Sequence, residues 1–363
     1  MLSMLRLKQR KSKMTEIKLI QSEDFAAWDE YVKQHSSASA YHRIAWMQAV
    51  EGGYKHKCFY WVARQSEGSV VGILPTVLIA PPFSKGSLCA LPFCDVGGIL
   101  ADNNEVHTLL LNQAIQFCKE QNITVFDNRS SIKSEALLDV ENLPATKVRM
   151  LMQLPDDSEA LFLGFKSKLR SQIRKSEKNG LTAQTGNNPH FVNEFYHVFT
   201  RNMRDLGSPV HSKRWFEHII SSYGEGAIIA TVYSENQVVG AGIVLFNGNK
   251  ASIPWASTNS DFNRLAPNML LYWTLLKYVN DRGCKEFDFG RSTIGEGTFK
   301  FKSQWGAKPE LLNWQKYNNS GLLIEETSGE VSNLRSLVEK TWRKLPVNIS
   351  EYIGPKIRKY ISL

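Results

Sequence analysis

Apolar residues recur at helical spacing in several segments of the chain, and short apolar runs bounded by turn residues separate them. In the first part of the chain this pattern predicts two helices, two strands, a longer amphipathic helix and a further strand. The helices span about 23–35, 42–54 and 105–122, and the strands about 57–64, 70–79 and 123–129. This order of elements favours a mixed α/β domain.

A similar order follows in the second part of the chain. The predicted helices span 169–181, 191–207 and 267–283, a three-strand meander covers 226–257 with turns at Glu235-Asn236 and Asn247-Gly248, and a strand follows at 284–290. The last helix begins with Pro267 and ends at Gly283, the asymmetry expected of helix ends. Two halves with a similar order indicate a duplication at the level of structure, although no sequence repeat is visible between them.

The segment 286–309 (EFDFGRSTIGEGTFKFKSQWGAKP) carries the most informative pattern. A short apolar strand ends at Arg291, a glycine-rich turn follows, and aromatic residues then alternate with lysines. We expect this part to be extended, with Lys300 and Lys302 on one side and the neighbouring phenylalanines against the core. Two lysines beside a flexible glycine turn favour binding of a phosphate or diphosphate.

This segment resembles the C-terminal signature of the Fem-type acyltransferases, and most closely that of the FemAB-related branch associated with exosortases and exopolysaccharide. The resemblance runs from about Ile17 to the C-terminus. It is supported by Trp28-Asp29, Tyr41-His42, Trp46, the block LPFCDVGG at 91–98 and the block LRSQIRKSEKNG at 169–180. It implies an α/β (α+β) fold of two tandem GNAT-like domains with mixed central sheets.

On this basis we predict a domain division. It consists of a basic N-terminal extension (1–14), a first GNAT-like domain (15–155), a second (156–310), a strand returning to the first domain (311–320) and a basic amphipathic tail (321–363). The patterned sequence begins just after Met14, which makes this residue a candidate for the true start.

The resemblance also implies roles for individual residues. Lys302 matches the family lysine associated with substrate phosphates, and Lys300 is its weaker companion. Asp95, in the block that lines the acceptor cleft, would position or deprotonate the nucleophile; the alternative is a turn cap. Asp288 and Arg291 flank a strand end, where such folds place ligands, unless they form a local ion pair. Trp305 completes the predicted substrate-binding set of this segment.

A basic helix precedes these residues. Arg170 and Arg174 are four residues apart and therefore share a helical face. This face is either simply solvated or an electrostatic site for tRNA phosphates or a nucleotide-linked substrate.

The segment QVVGAG at 237–242 matches the loop with which GNAT acetyltransferases hold the CoA pyrophosphate. That loop should precede the N-terminus of a helix, whereas apolar residues surround these glycines and a strand-like run follows. We therefore interpret the segment as a packed strand in a hairpin. A chain without a CoA-binding loop would fit a Fem-type enzyme, because the acyl donor of such an enzyme need not be CoA.

Composition limits the class of protein. The net charge of +9 and the pI near 9.2 favour an anionic partner, such as nucleic acid, a phosphorylated sugar, CoA or an acidic membrane surface. The five cysteines form no CxxC pair, which indicates reduced thiols, and the eight histidines show no metal-ligand spacing, so we expect no metal. Without a membrane-length apolar run or a signal peptide, we expect a cytoplasmic protein.

Apolar residues at near-helical spacing alternate with lysine and arginine in residues 349–361. This tail favours contact with the inner face of the cytoplasmic membrane, although packing against the second domain or a partner subunit would explain it equally well.

Together these features predict an acyl- or aminoacyltransferase that modifies an amine or hydroxyl of a sugar- or lipid-linked cell-envelope precursor, from exopolysaccharide or peptidoglycan synthesis. The donor is either acyl-CoA or aminoacyl-tRNA. One alternative is an acetyl-CoA-dependent sugar N-acetyltransferase. The other is a non-catalytic, basic nucleic-acid-binding protein, whose binding would depend steeply on salt.

Overall fold

A computed structural model describes residues 15–132, 140–143, 145–325 and 333–363, and in these ranges the chain forms fourteen strands and eleven α-helices. The strands are β1 (Thr15–Leu19), β2 (Lys57–Gln65), β3 (Val70–Ile79), β4 (Ser87–Cys89), β5 (Leu100–Ala101), β6 (Val125–Ile132), β7 (Lys147–Gln153), β8 (Leu181–Gly186), β9 (Ala227–Ser234), β10 (Gln237–Asn247), β11 (Lys250–Thr258), β12 (Glu286–Thr293), β13 (Lys308–Asn318) and β14 (Leu323–Ile324). The helices are α1 (Phe25–Gln34), α2 (Ile44–Tyr54), α3 (Asn104–Glu120), α4 (Ser158–Gly164), α5 (Ser167–Lys178), α6 (Pro189–Leu206), α7 (Lys213–Tyr223), α8 (Pro267–Asp281), α9 (Gly297–Gln304), α10 (Asn333–Trp342) and α11 (Val347–Arg358). The predicted extension 1–14, with Met14, lies outside the described residues.

The strands form one continuous mixed sheet. Its order is β1-β2-β3-β4-β6-β13-β7-β12-β11-β10-β9-β8, with β5 beside β3 and β14 beside β13. The pairs β4–β6 and β11–β12 are parallel, and the other pairs are antiparallel. The predicted fold class, two tandem GNAT-like units with mixed sheets, is confirmed, and hydrogen bonding between strands joins the two sheets into one.

At the centre of this sheet, strands that are distant in sequence pair with each other and join the two GNAT-like units, here called the first and second halves. β13 lies between β6 and β7: Leu311–Asn318 pair with β6, and Lys308–Leu311 pair with β7. β7 in turn pairs with β12 of the second half. The exchange ties the halves together through backbone hydrogen bonds as well as side-chain packing.

The helices of the two halves also share a core. Trp46 of α2 stacks on Trp255 of β11, with ring centroids 6.0 Å apart, and meets Trp215 of α7 edge-on at 5.4 Å. All three rings are buried in the same apolar cluster as Trp28. Because large aromatic side chains contribute strongly to packing, this cluster stabilises the relative position of the halves.

Several element predictions are confirmed. The meander β9-β10-β11 forms antiparallel pairs with its first turn at Glu235-Asn236, and its second turn falls at Gly248-Asn249, one residue later than predicted. The segment 237–242 is part of β10, where a Cβ on Gly242 would lie 3.2 Å from Leu275, so this glycine allows close packing. The interpretation of QVVGAG as a packed strand is therefore confirmed.

The predicted extended conformation around Lys300 and Lys302 is wrong, because this segment is helix α9. Phe301 and Trp305 are four residues apart and therefore share one helical face. Both pack on Tyr272 of α8, with ring centroids 4.9 and 6.1 Å away. The helix places Lys300 in solvent and buries Lys302, so the two lysines do not share a side.

Candidate functional site

A cavity lies where the parallel strands β11 and β12 stop pairing. Their register covers only Lys250–Ser252 of β11 and Glu286–Asp288 of β12, so both strands continue beyond their last shared pair. A cavity of about 290 Å³, here called the junction cavity, occupies this place. Its lining includes residues 253–257 of β11, 289–291 of β12, Phe93–Asp95 of the first half, Lys302, His211, Arg358 and Leu363.

Asp95 reaches this cavity from the loop between β4 and β5. Its Oδ2 accepts a hydrogen bond from the backbone N–H of Arg291 at 3.0 Å, and its Oδ1 lies 3.5 Å from Arg291 Nε. Gly290 has a φ of 72°, and a Cβ there would lie 3.3 Å from Asp95 Oδ2. Glycine is therefore favoured at this position both by its conformation and by the close approach of the carboxylate.

His42 positions the loop that carries Asp95. Its Nδ1 lies 2.9 Å from Ser39 Oγ and its Nε2 lies 3.1 Å from the carbonyl oxygen of Gly98. Burial lowers the pKa of His42 to about 3, so the imidazole is neutral at physiological pH. A second anchor is the indole N–H of Trp314, which donates to the carbonyl oxygen of Asp95 at 3.0 Å.

Lys302 lies on α9 and is only 8% exposed. Its Nζ donates a hydrogen bond to the carbonyl oxygen of Arg291 at 2.7 Å, which uses one of its three N–H donors. Burial lowers the pKa of Lys302 to about 8, although Asp95 and Asp288 favour the charged form. The ammonium group is thus a partly desolvated cation with two N–H donors left for a ligand. Such a group is well suited to binding an anion.

Arg291 completes the set of predicted residues that the structure brings together. Its guanidinium lies over the ring of Trp314, 5.2 Å from the centroid, and the guanidinium of Arg129 lies over the same ring at 5.0 Å. Stacking on an aromatic ring leaves the edges of a guanidinium available for hydrogen bonds. Asp95, Arg291 and Lys302 therefore form one cluster built from both halves.

Asp288 was predicted to bind substrate, but it is not part of the cavity lining. It is 2% exposed, its Oδ2 accepts from Arg149 Nε at 2.8 Å, and its Oδ1 accepts from the backbone N–H of Gly290 at 2.8 Å. Both oxygens are engaged in holding β12 in place, and these contacts account for Asp288 without a substrate.

Trp305 and Lys300 are likewise absent from the lining. Trp305 is 1% exposed and packs edge-on against Phe165 at 5.4 Å, because helix α9 turns its ring into the core of the second half. Lys300 points into solvent from the same helix. The structure thus gives no support to a substrate contact by either residue.

Arg170 and Arg174 lie on α5 as predicted, and outside the junction cavity. Arg170 donates to the carbonyl oxygens of Leu163 and Phe165, at 2.7 and 3.1 Å, and so stabilises the end of α4. The guanidinium of Arg174 lies 5.2 Å from the ring centroid of Phe162. These contacts account for both arginines without a substrate.

His211 and Arg358 are among the polar residues of the cavity that the sequence did not single out. Tyr54 Oη accepts from the backbone N–H of Ser212 at 3.3 Å and lies 2.5 Å from Nδ1 of His211. His211 is 2% exposed, and burial holds its pKa well below the usual value. Its position just before α7 was the only sequence signal.

Metal-ligand groups and membrane-length helices are both absent from the part of the chain that the structure describes. No group of three or more His, Cys, Asp or Glu side chains there has the geometry of a metal site. None of the helices described is long and apolar enough to cross a bilayer.

Comparison with known proteins agrees with this architecture. Residues 164–303 match the family described as acetyltransferase (GNAT) domain. The lipid II:glycine glycyltransferase of Staphylococcus aureus (strain USA300) is 22% identical over 147 residues, which are 39% of this chain and 30% of the relative. The match thus spans less than a third of that relative's length.

Solved structures extend the likeness to most of the chain. The crystal structure of FemX superposes with a TM-score of 0.65 at 15% identity, covering 82% of this chain and 96% of FemX. A tandem GNAT protein from the clavulanic acid biosynthesis pathway has a TM-score of 0.54 at 14% identity, covering 84% and 99%. L-PGS from Bacillus licheniformis has a TM-score of 0.51 at 13% identity, covering 90% and 99%. The resemblance to Fem-type tandem GNAT acyltransferases is confirmed, whereas the exosortase-associated branch stays a prediction.

Proposed function

We propose that this chain, a tandem GNAT protein that resembles the Fem-type acyltransferases, moves an acyl or aminoacyl group onto an amine or hydroxyl of a sugar- or lipid-linked precursor of the cell envelope. The observation that carries the proposal is the junction cavity. There a carboxylate from one half, Asp95, lies beside two cations of the other half, Arg291 and Lys302. The partial relative named lipid II:glycine glycyltransferase supports the same class of acceptor.

The cluster suits acyl transfer from an activated ester or thioester. The acceptor nitrogen or oxygen attacks the acyl carbon and forms the new bond, and the bond from that carbon to the donor oxygen or sulfur breaks. Asp95 accepts the proton from the attacking atom, and the leaving group takes up a proton as it departs. Lys302 and Arg291 hold the phosphates of the acceptor, so that the reaction gains mainly from proximity and electrostatics.

The donor in this proposal is acyl-CoA or aminoacyl-tRNA. The segment with a CoA-loop sequence is strand β10, which removes the sequence evidence for a CoA pyrophosphate site there. The proposal is therefore tested with both donors, acetyl-CoA and charged tRNA, each offered with a UDP-linked and a lipid-linked sugar acceptor. Transfer from either donor supports the function. If neither donor reacts, and tRNA binds only with a steep loss at higher salt, the chain is a basic nucleic-acid-binding protein instead.

Asp95→Asn should lower turnover by about 10²- to 10³-fold if Asp95 acts as the general base. The amide oxygen can still accept from the backbone N–H of Arg291, so the loop should keep its position. Two quantities are measured: kcat in the transfer assay, and the thermal midpoint of unfolding, which shows whether the variant is folded. Asp261→Asn is the matched control, because Asp261 is exposed and pairs with Arg201 on the surface. Unchanged kcat in Asp95→Asn would remove Asp95 from the proposed chemistry.

We also propose that α11 contacts the anionic inner face of the cytoplasmic membrane. One face of this helix exposes apolar side chains, including Ile349 (41% exposed) and Tyr352 (70%). The buried side of the helix packs through small residues: Ser350 is 2% exposed, and a Cβ on Gly354 would lie 2.8 Å from the backbone nitrogen of Val210. Ile353 and Ile357 continue the apolar face, and Lys356 and Lys359 lie near it, as in helices that lie on a membrane surface.

The double change Ile349→Ser with Tyr352→Ser should weaken binding to vesicles that contain phosphatidylglycerol by about tenfold or more, because each apolar side chain contributes on the order of 1 kcal/mol or more when it leaves water. Flotation of the protein with such vesicles measures the change. Leu163→Ser, which alters a 60% exposed leucine on α4, is the matched control. Equal binding by all three proteins would exclude α11 as the membrane contact.

A further inference from the structure

The C-terminal end of the chain forms part of the wall of the junction cavity. Arg358, the last residue of α11, and Leu363 both line it. They reach it from a segment remote in sequence from the matched GNAT domain, which ends at residue 303. The cavity is therefore completed by an element that lies outside the matched family region.

Hydrogen bonds from the first half hold this segment in place. The backbone N–H of Phe93 donates to the carbonyl oxygen of Ser362 at 2.6 Å, and Arg129 donates to Ser362 Oγ at 2.7 Å. Arg129 is itself fixed by a buried ion pair with Asp127, 2.7 Å long. His56 Nε2 lies 2.8 Å from the carbonyl oxygen of Lys359. Residues 359–363 are thus built into the fold beside the loop that carries Asp95.

The guanidinium of Arg358 has little compensation for its charge. It donates to the carbonyl oxygen of Ile361 at 2.6 Å and lies 5.8 Å from the ring centroid of Phe93. Within the described ranges, no aspartate or glutamate side chain is among the charges that raise its pKa. Burial lowers the pKa of Arg358 to about 10, and the positive charges of Arg129 and Arg291 act in the same direction. A partly buried cation without a counter-charge is costly unless a ligand supplies one.

Positive charges also outnumber negative ones among the side chains that line the cavity. Arg291, Lys302 and Arg358 line it with a single acidic side chain, Asp95, and His211 is held neutral by burial. An anionic ligand would offset this excess of cationic side chains. The planar fork of an arginine is suited to two oxygens of one phosphate group.

We propose that Arg358 is a ligand-binding residue of the junction cavity, and that it binds a phosphate-class group of the acceptor together with Lys302 and Arg291. This inference rests on the proposed function only for the identity of the acceptor, since the anion site itself can be tested without any turnover. It assigns to the C-terminal helix a part in substrate recognition, beside the membrane contact proposed for its outer face.

The test measures binding of inorganic pyrophosphate by calorimetry, and its effect on the thermal midpoint of unfolding. Arg358→Ala should weaken pyrophosphate binding by about tenfold or more, the usual effect of losing a charge-assisted hydrogen bond. Arg358→Lys should recover part of this loss because it restores the charge. Lys356→Ala, which removes an exposed cation half a turn away on α11, should bind like the natural protein.

A structural role would give a different result. If Arg358 only fastened the C-terminal segment, Arg358→Ala would lower the midpoint without ligand, and Ser362→Ala, which removes a hydroxyl from the same segment, would weaken binding equally. Our proposal expects the ligand-free midpoint of Arg358→Ala to be unchanged or higher, because an uncompensated charge has been removed. Absence of saturable pyrophosphate binding by the natural protein, or equal binding by Arg358→Ala, would overturn the proposal.

Two further probes distinguish the source of the phosphate. Farnesyl diphosphate represents a lipid-linked diphosphate, and UDP-N-acetylglucosamine represents a nucleotide-linked one. A tenfold loss in Arg358→Ala with one of them assigns the site to that source. If pyrophosphate binding depends on Arg358 while the transfer assays fail, the anion site stands and the proposed transferase function falls.

Discussion

Lys302→Ala should reduce kcat/KM for transfer by about 10²- to 10³-fold, the usual effect of removing one partner of a buried, hydrogen-bonded charge contact to a bound ligand. Nζ of Lys302 keeps two N–H donors after its hydrogen bond to the carbonyl oxygen of Arg291, and the side chain is 8% exposed. A charge placed in so little water interacts strongly with an anion. The measurement is steady-state kinetics with whichever donor and acceptor the assays identify.

The matched control for this change is Lys300→Ala. Lys300 lies on the same helix, two residues away, and is exposed to solvent. The same charge is lost in both variants, so a general weakening of the protein's positive field would affect them equally. We expect Lys300→Ala to keep nearly full activity. Equal losses in the two variants would show that net charge, and not the junction cavity, governs the reaction.

The pH dependence gives a second check on Lys302. Burial lowers its pKa to about 8, and the charged form is the one present below the pKa. Affinity for a phosphate-class ligand should therefore be high below pH 8 and should fall as the pH rises through this value. In Lys302→Ala this decline should be absent. Pyrophosphate binding is measured between pH 7 and about 9, which spans the pKa of Lys302 and stays below the pKa of about 10 of Arg358.

The sequence predicted the elements that local patterns determine. The helix from Pro267, the meander and the packed strand at 237–242 depend on spacing, turn residues and proline or glycine at element ends, all of which lie within a few residues of each other. The predicted extended conformation around Lys302 was wrong because the true conformation depends on distant contacts. An alternation over four residues fits a strand, whereas the helix packs on residues distant in sequence, among them Tyr272 of α8 and Phe165.

The candidate site was predicted in part for the same reason. Asp95, Arg291 and Lys302 stand in motifs, and the structure brings them together. The role of Asp288 depends on Arg149, 139 positions earlier, and that pairing has no local signal. Arg358 is one basic residue among several in an amphipathic tail. Gly354 lets the same helix approach the backbone of Val210, and no local pattern marks Arg358 as the residue that lines the cavity.

Arg149→Ala should lower the free energy of unfolding by about 3–5 kcal/mol, the usual cost of removing one partner of a buried ion pair. Its Nε donates to Asp288 Oδ2 at 2.8 Å and its Nη1 lies 3.5 Å from Glu310 Oε1, so it links β7 to β12 and β13. Its loss leaves Asp288, 2% exposed, without the cation that compensates its charge. These strands form the join between the two halves, which makes the site sensitive to the same change.

Urea denaturation measures this effect, with Arg201→Ala as the matched control. Arg201 pairs with Asp261 at the surface, where an ion pair contributes about 0–1 kcal/mol. Because Asp288 also accepts from the backbone N–H of Gly290, next to Arg291, the destabilised variant should lose pyrophosphate affinity even in the fraction that stays folded. A loss of stability no larger than that of Arg201→Ala would mean that packing and the exchanged strand β13, rather than the buried charges, hold the two halves together.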